Sequence, residues 1–148
     1  MDYQSVFNQK FILLIVILIV GCLALLFFWI NNSYMDDSEY LKNHPAAKYL
    51  IRVLLSLLMV AYFGAIALPI IKDKEIIEKQ QYVVEEGQVL HDVDNGGMFG
   101  LQKSIKISID GNYYRFSVAF IADDVKEGDK VKVTYLPNSK YAVIEKEE

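Results

Sequence analysis

Two stretches of the chain stand apart by their unbroken apolar positions. Residues 11–30 carry no charge, and Gly21 is their one residue outside the apolar set. Residues 53–71 carry no charge either, and Ser56, Gly64 and Pro69 interrupt them. A helix crosses a bilayer's hydrocarbon with about 20 apolar residues. The first run meets that length alone. The second meets it once its flank is added, giving a span over about residues 50–71. Arg52 then lies one turn in, where its long stem can snorkel to the headgroups, and Pro69 falls in the last turn. A signal peptide would have a shorter apolar stretch and a small-residue cleavage site. Phe27-Phe28-Trp29-Ile30-Asn31 offers none, so the first span reads as an uncleaved anchor. Trp29 and Tyr34 suit an interfacial aromatic belt. The connector, residues 31–48, is short and polar. The pattern therefore predicts an N-terminal tail over 1–10 and an antiparallel transmembrane hairpin over 11–71. Lys10, Lys72, Lys74 and Lys79 flank its open end, against Lys42, Lys48 and Arg52 at the connector. That balance places both termini in the cytoplasm.

Beyond residue 71 the pattern changes period. Residues 72–81 are good helix formers without Gly or Pro, and Tyr82-Val83-Val84 switches to β-formers. This gives a linker over 72–86, helical in its first half. Residues 88–93 then read as a strand. Residues 104–110 alternate polar and apolar without a fault, as a strand with one buried face does. Asp110-Gly111-Asn112 signals a tight turn, with its hairpin partner over 113–120. Residues 130–135 alternate again, and 140–144 give a last strand. Five short strands linked by turns predict a small antiparallel β-barrel-like domain over 87–148, of the OB or SH3-like kind. The fold class is thus membrane α plus β.

Composition sharpens this division. The 53% hydrophobic content and the mean hydropathy of +0.22 average over two unlike parts, since the two apolar runs hold none of the charges. Within 87–148 there are eight basic and ten acidic side chains. That balance lacks the basic footprint of a nucleic-acid binder, although Tyr113, Tyr114, Phe116 and Phe120 make an aromatic strand. Tyr114, Phe116 and Phe120 are expected in the core, with Arg115 outward. Cys22 is the sole cysteine, so an internal disulfide is excluded.

Catalytic chemistry finds little footing. His44 precedes Pro45 in the connector. His91, Asp92 and Asp94 alternate along a strand, so Asp92 and Asp94 share a face and His91 does not, short of the converging ligands a metal needs. The stretch Asn95-Gly96-Gly97-Met98-Phe99-Gly100 lacks the Lys-Ser/Thr and the helix of a phosphate loop. No cofactor, no metal and no enzymatic activity are expected. Met98 and Phe99, an apolar tip on a glycine loop, are candidate contacts to a membrane or partner. Ala61, Gly64 and Ala65 are candidates for close helix packing, within the hairpin, with a partner's helix or in a homo-oligomer.

The segment Gly128-Asp129-Lys130-Val131-Lys132-Val133-Thr134-Tyr135-Leu136-Pro137 resembles the closing motif, G-D-x-V-x-V-x-Y-x-P, of a bacterial membrane-protein family of unknown function. Gly87-Gln88-Val89 is similar to that family's G-x-V opening, and Asp110-Gly111-Asn112-Tyr113-Tyr114 to its D-G-x-x-Y hairpin. The resemblance covers about 60 residues. Lys140 stands where the family has a second proline. The resemblance implies a small β domain beside transmembrane helices in a bacterial membrane, and no activity. The expected function is a non-enzymatic, membrane-anchored interaction protein that holds its β domain at the bilayer for a protein partner. The alternative is an immunity-type protein that protects against a membrane-active toxin.

Overall fold

A computed structural model describes residues 2–31, 33–94 and 103–147. The chain divides into two compact units, Ile12–Pro69 on one hand and Met1–Phe11 with Ile70–Glu148 on the other.

Helix α1 (Tyr3–Ile30) begins well before the apolar run, so the expected tail over 1–10 is helical. The cause is local: an Asp2 side-chain oxygen accepts from the Ser5 N–H at 3.2 Å and satisfies one of the orphan donors of a first turn. Two short helices follow, α2 (Ser33–Asp36) and α3 (Glu39–Asn43). Ser38 caps α3 through the Leu41 N–H. Helix α4 (Pro45–Tyr62) opens on a proline, where a missing N–H costs nothing. A π-helical turn, Phe63–Ala67, leads into α5 (Leu68–Lys72). Pro69 accounts for the widened turn: it donates no N–H, and its ring crowds the carbonyl four residues back. Both Tyr3–Ile30 and the helical stretch Pro45–Lys79 are long and apolar enough to cross a membrane.

Within Ile12–Pro69, contacts between α1 and α4 climb one helix as they descend the other. The Tyr62 hydroxyl donates to the Leu14 carbonyl at 3.3 Å, Gly21 lies against Met59, and Trp29 Nε1 donates to Ser56 Oγ at 3.2 Å. Arg52 Nε donates to the Phe28 carbonyl at 3.0 Å, and its guanidinium lies 5.7 Å from the Trp29 ring centre. The cation thus caps a last-turn carbonyl of α1.

In the other unit, Asp73 links α5 to α6 (Lys74–Lys79), and Gln80 ends α6 in the left-handed region at φ 55. Five strands follow: β1 (Val83–Asp94), β2 (Ser104–Ile109), β3 (Asn112–Ile121), β4 (Lys130–Tyr135) and β5 (Tyr141–Lys146). They close a barrel in the order β1-β2-β3-β5-β4, with β1 also paired to β4. Four of the five pairings are antiparallel, and β3 and β5 run parallel. The expected all-antiparallel arrangement is corrected there. An odd number of strands cannot alternate direction around a closed ring, so one pair must run together.

The barrel claims more chain than expected. Strand β1 starts at Val83, inside the expected linker, because Val83–Gln88 supply the pairing with β4 that closes the ring. From Gln88 onward β1 pairs with β2 instead. Gly87 sits at this change of partner, where an added Cβ would fall 2.7 Å from the Ser108 carbonyl oxygen and 2.6 Å from Ile107 Cγ2. The Asp110-Gly111 turn has positive φ at both residues, 50 and 78, as a tight hairpin of this twist requires. Lys140 is also left-handed, at φ 56, and its N–H donates to the Leu136 carbonyl. A proline could do neither, so this turn departs physically from the resembled motif.

The barrel's two sides differ. Its interior is filled by Val89, Ile105, Ile107, Phe116, Val131, Val133 and Ile144, among others. Strand β5 is buried on both faces from Tyr141 through Ile144, and Thr134 and Leu136 add outward-facing buried positions beside β4. Helical pieces of the same unit reach this side. Tyr3 donates to Glu145 at 2.5 Å. Phe7, fully buried, packs its ring 5.2 Å from that of Tyr82. The Asp73 carboxylate, also fully buried, accepts from the Asn138 N–H, Asn138 Nδ2 and the Ser139 N–H at 2.7–3.1 Å. Among the described residues of this unit, the outer side of β1, β2 and β3 carries exposed side chains, His91, Tyr113 and Arg115 among them.

Candidate functional site

That exposed side is built by strand register. His91 of β1 is the Cα partner of Lys106 on β2, and Lys106 is the partner of Arg115 on β3. Alternation turns Ile105, Ile107 and Phe116 inward, which leaves Lys106 and Arg115 outward. Neighbouring strands are about 4.8 Å apart, so the row spans about 10 Å across three strands. It forms the floor of a groove of about 450 Å³ lined by Leu90, His91, Lys106, Tyr113, Tyr114 and Arg115. A second hollow of about 250 Å³ shares His91, Lys106 and Arg115 and extends to Asp94 and Ser104.

The electrostatics are mixed. Arg115 is positioned by Ser104, whose Oγ accepts from its Nε at 3.1 Å and from its Nη2 at 2.8 Å. Its Nη2 lies 3.6 Å from an Asp94 carboxylate oxygen. His91 Nδ1 is 3.8 Å from Glu127 at the groove's other edge. Lys106, between them, has no polar partner among the described residues. Tyr113 is 79% exposed on the tip of the β2–β3 hairpin, and Tyr114 is 37% exposed with its ring stacked 6.1 Å from Phe116. The result, among the described residues, is one uncompensated cation beside two amphipathic rings, with Glu127 near His91 and Asp94 near Arg115.

Sequence reasoning had named His91, Asp94, Tyr113, Tyr114 and Arg115 singly, and Lys106 only within a strand. It did not bring them together, because cross-strand register is not visible in a chain that is read one strand at a time. The signal available was the tight Asp110-Gly111 turn, which fixes the β2–β3 register. Phe116 is core as expected, but Tyr114 and Phe120 are exposed, at 37% and 40%. A register shift between Val118 and Phe120 carries Phe120 off the inward face.

The remaining candidates lie elsewhere. Met98 and Phe99 fall outside the described residues. Ala61, Gly64 and Ala65 are exposed at the end of α4 and in the π-helical turn. A Cβ on Gly64 would meet nothing within 4 Å, and it is Gly21 that meets the other helix, at Met59. His44 stacks on Tyr40 with ring centres 4.3 Å apart, and its Nδ1 is 2.8 Å from the Tyr40 carbonyl oxygen. Cys22 is exposed on α1. Among the described residues no group of three or more His, Cys, Asp or Glu side chains could hold a metal ion.

Fold and site together define a chain with two long apolar helices and a closed five-stranded barrel bearing a cation–tyrosine groove. No protein-family model matches this chain, and comparison with curated proteins and with solved structures likewise gave no match.

Proposed function

We propose that the chain is a non-enzymatic, membrane-anchored interaction protein. It crosses the bilayer twice as an antiparallel hairpin and presents the β1–β2–β3 face of an OB-type barrel to a protein partner. The carrying observation is the barrel's two-sidedness: helical pieces of the chain reach the β4–β5 side, while the opposite side keeps exposed aromatics around a groove. Scattered exposed apolar residues are ordinary on a surface. A tyrosine 79% exposed beside a lysine with no polar partner among the described residues, in a concave site, is the arrangement of a contact surface.

The hairpin rests on two supports. Contacts between α1 and α4 run in opposite directions along the two helices. The start of α1 and the end of α5 both belong to the barrel's own unit, which suits two spans entering and leaving on one side. The likeness of the closing strands to a bacterial membrane family points the same way.

A photoreactive amino acid at position 113 in cells tests the reading. Ultraviolet cross-linking is expected to give a discrete protein adduct from position 113 and none from Glu75, exposed on α6. A membrane-inserted chain that yields no adduct at 113 would sink it.

A further inference from the structure

We propose that the groove's occupant is a peptide segment carrying one carboxylate beside an apolar side chain. The inference rests on the interaction reading above and names the chemistry of its partner. Three features on the β1–β2–β3 face select this class.

The first is charge count. In the row His91, Lys106, Arg115, the outer two already face carboxylates, Glu127 at 3.8 Å and Asp94 at 3.6 Å. The central Lys106 has no polar partner among the described residues. The face therefore offers a place for a single negative group. A carboxylate there gains a charge-assisted hydrogen bond from Lys106, with the Arg115 guanidinium, held in place by Ser104, beside it. The second feature is the rim. Glu127 stands beside His91, and Asp94, three residues further along β1, stands beside the Arg115 guanidinium; the two carboxylates repel any ligand whose negative charge extends beyond Lys106. A nucleic-acid strand, with a phosphate on every nucleotide, and a sheet of anionic headgroups both do so. The third is the pair of tyrosines. Tyr113 and Tyr114 add rigid amphipathic area with few rotatable bonds, so an apolar side chain next to the carboxylate finds a flat surface. A groove of about 450 Å³, crossing three strands, admits a few residues of extended chain.

The test uses the full chain in neutral-lipid nanodiscs, with fluorescence anisotropy of labelled peptides built around Phe-Glu-Phe and Phe-Gln-Phe. The Glu peptide is expected to bind about tenfold more tightly than the Gln peptide, the fold-change of one charged hydrogen bond. Lys106→Gln is expected to abolish the difference, with the melting temperature unchanged as a check that the barrel is intact. Tyr113→Ala is expected to weaken both peptides alike. Equal binding of the two peptides, or binding of neither, overturns the proposal. So does tighter binding of an oligothymidylate or of phosphatidylglycerol vesicles than of the Glu peptide. The photo-adduct at position 113 separates the two levels. An adduct without Glu/Gln discrimination leaves the interaction reading standing and removes the carboxylate. No adduct removes the interaction reading itself.

Discussion

At the scale of single residues, Asp73 has the most consequential placement. It is a fully buried carboxylate between α5 and α6. Its oxygens turn away from the helix it precedes and take three N–H donors from Asn138 and Ser139 in the β4–β5 turn. Burying a charge is costly unless hydrogen bonds replace water, and here three do. Asp73→Ala leaves the Asn138 and Ser139 N–H groups without their acceptor, at about 1–3 kcal/mol for a buried donor left unsatisfied. The expected result is a lower barrel melting temperature and faster amide exchange at 138 and 139. Asp73→Asn keeps an acceptor but adds donors with nothing to meet, so it should fall between Asp and Ala. Unchanged exchange at 138 and 139 in the alanine variant would contradict this role. Asp129 is the corresponding anchor in the preceding turn. Hydrogen bonds from the Lys126 N–H and the Lys146 ammonium hold its carboxyl below the usual range. Its contribution is present above the unfolded pKa and is lost as pH falls through the lowered one.

Among the elements, the first turns of α1 and strands β4 and β5 explain each other. Strand β5 reads as a run of Tyr, Ala, Val and Ile, with no outward polar residue until Glu145. Such a run needs cover on both faces. Tyr3 reaches Glu145 of β5, and Phe7 packs on Tyr82 just ahead of β1, from a segment that sequence reasoning set aside as a tail. Its capped start at Asp2 went unread. Its docking was not legible, because a strand and a helix about 140 residues apart share no local pattern. The strands themselves, and the Asp110-Gly111 turn, were legible because alternation and turn chemistry are local. The β3–β5 pairing was hidden, since it follows from closure of the whole ring. Tyr3 gives the docking a pH signature. Its hydrogen bond to Glu145, together with burial and the Glu145 charge, raises the phenol pKa above the ordinary tyrosine value. A raised folded-state value means the contribution is whole below the unfolded pKa and is lost as pH rises through the folded one. Tyr82 and Tyr135 are also raised, mainly by burial, so alkaline titration by tyrosinate absorbance should show several late-ionising tyrosines and one fewer in Tyr3→Phe. Phe7→Ala, at about 3–5 kcal/mol for a buried aromatic, should also reduce the late amplitude by undocking the segment. An unchanged late amplitude in Tyr3→Phe would contradict this role.

For the whole molecule, the exposed apolar area decides what surroundings it requires. Ile12, Leu13, Ile19, Val20, Leu23 and Leu26 on α1, with Leu50, Leu54, Leu57 and Val60 on α4, are each more than half exposed. Soluble proteins do not carry contiguous patches of that extent. On the proposed membrane reading lipid would cover such helices, and polar groups between them are already satisfied: the Arg52 charge by the Phe28 carbonyl and the Trp29 face, and the Trp29 N–H by Ser56. If both spans cross, the connector and the barrel must lie on opposite sides. Single cysteines placed at Tyr40, 65% exposed in the connector, and at Tyr113, in a Cys22→Ser background, read this directly. With four Lys outside the hairpin's open end against two Lys and Arg52 at the connector, the positive-inside rule predicts a cytoplasmic barrel for the proposed hairpin. An impermeant maleimide on intact cells should then label position 40 and leave 113 unlabelled until the membrane is opened. The reverse pattern would keep the hairpin and move the interaction face outside the cell. Labelling of both positions in intact cells would refute the two-span reading, and with it the membrane support for everything proposed of the groove.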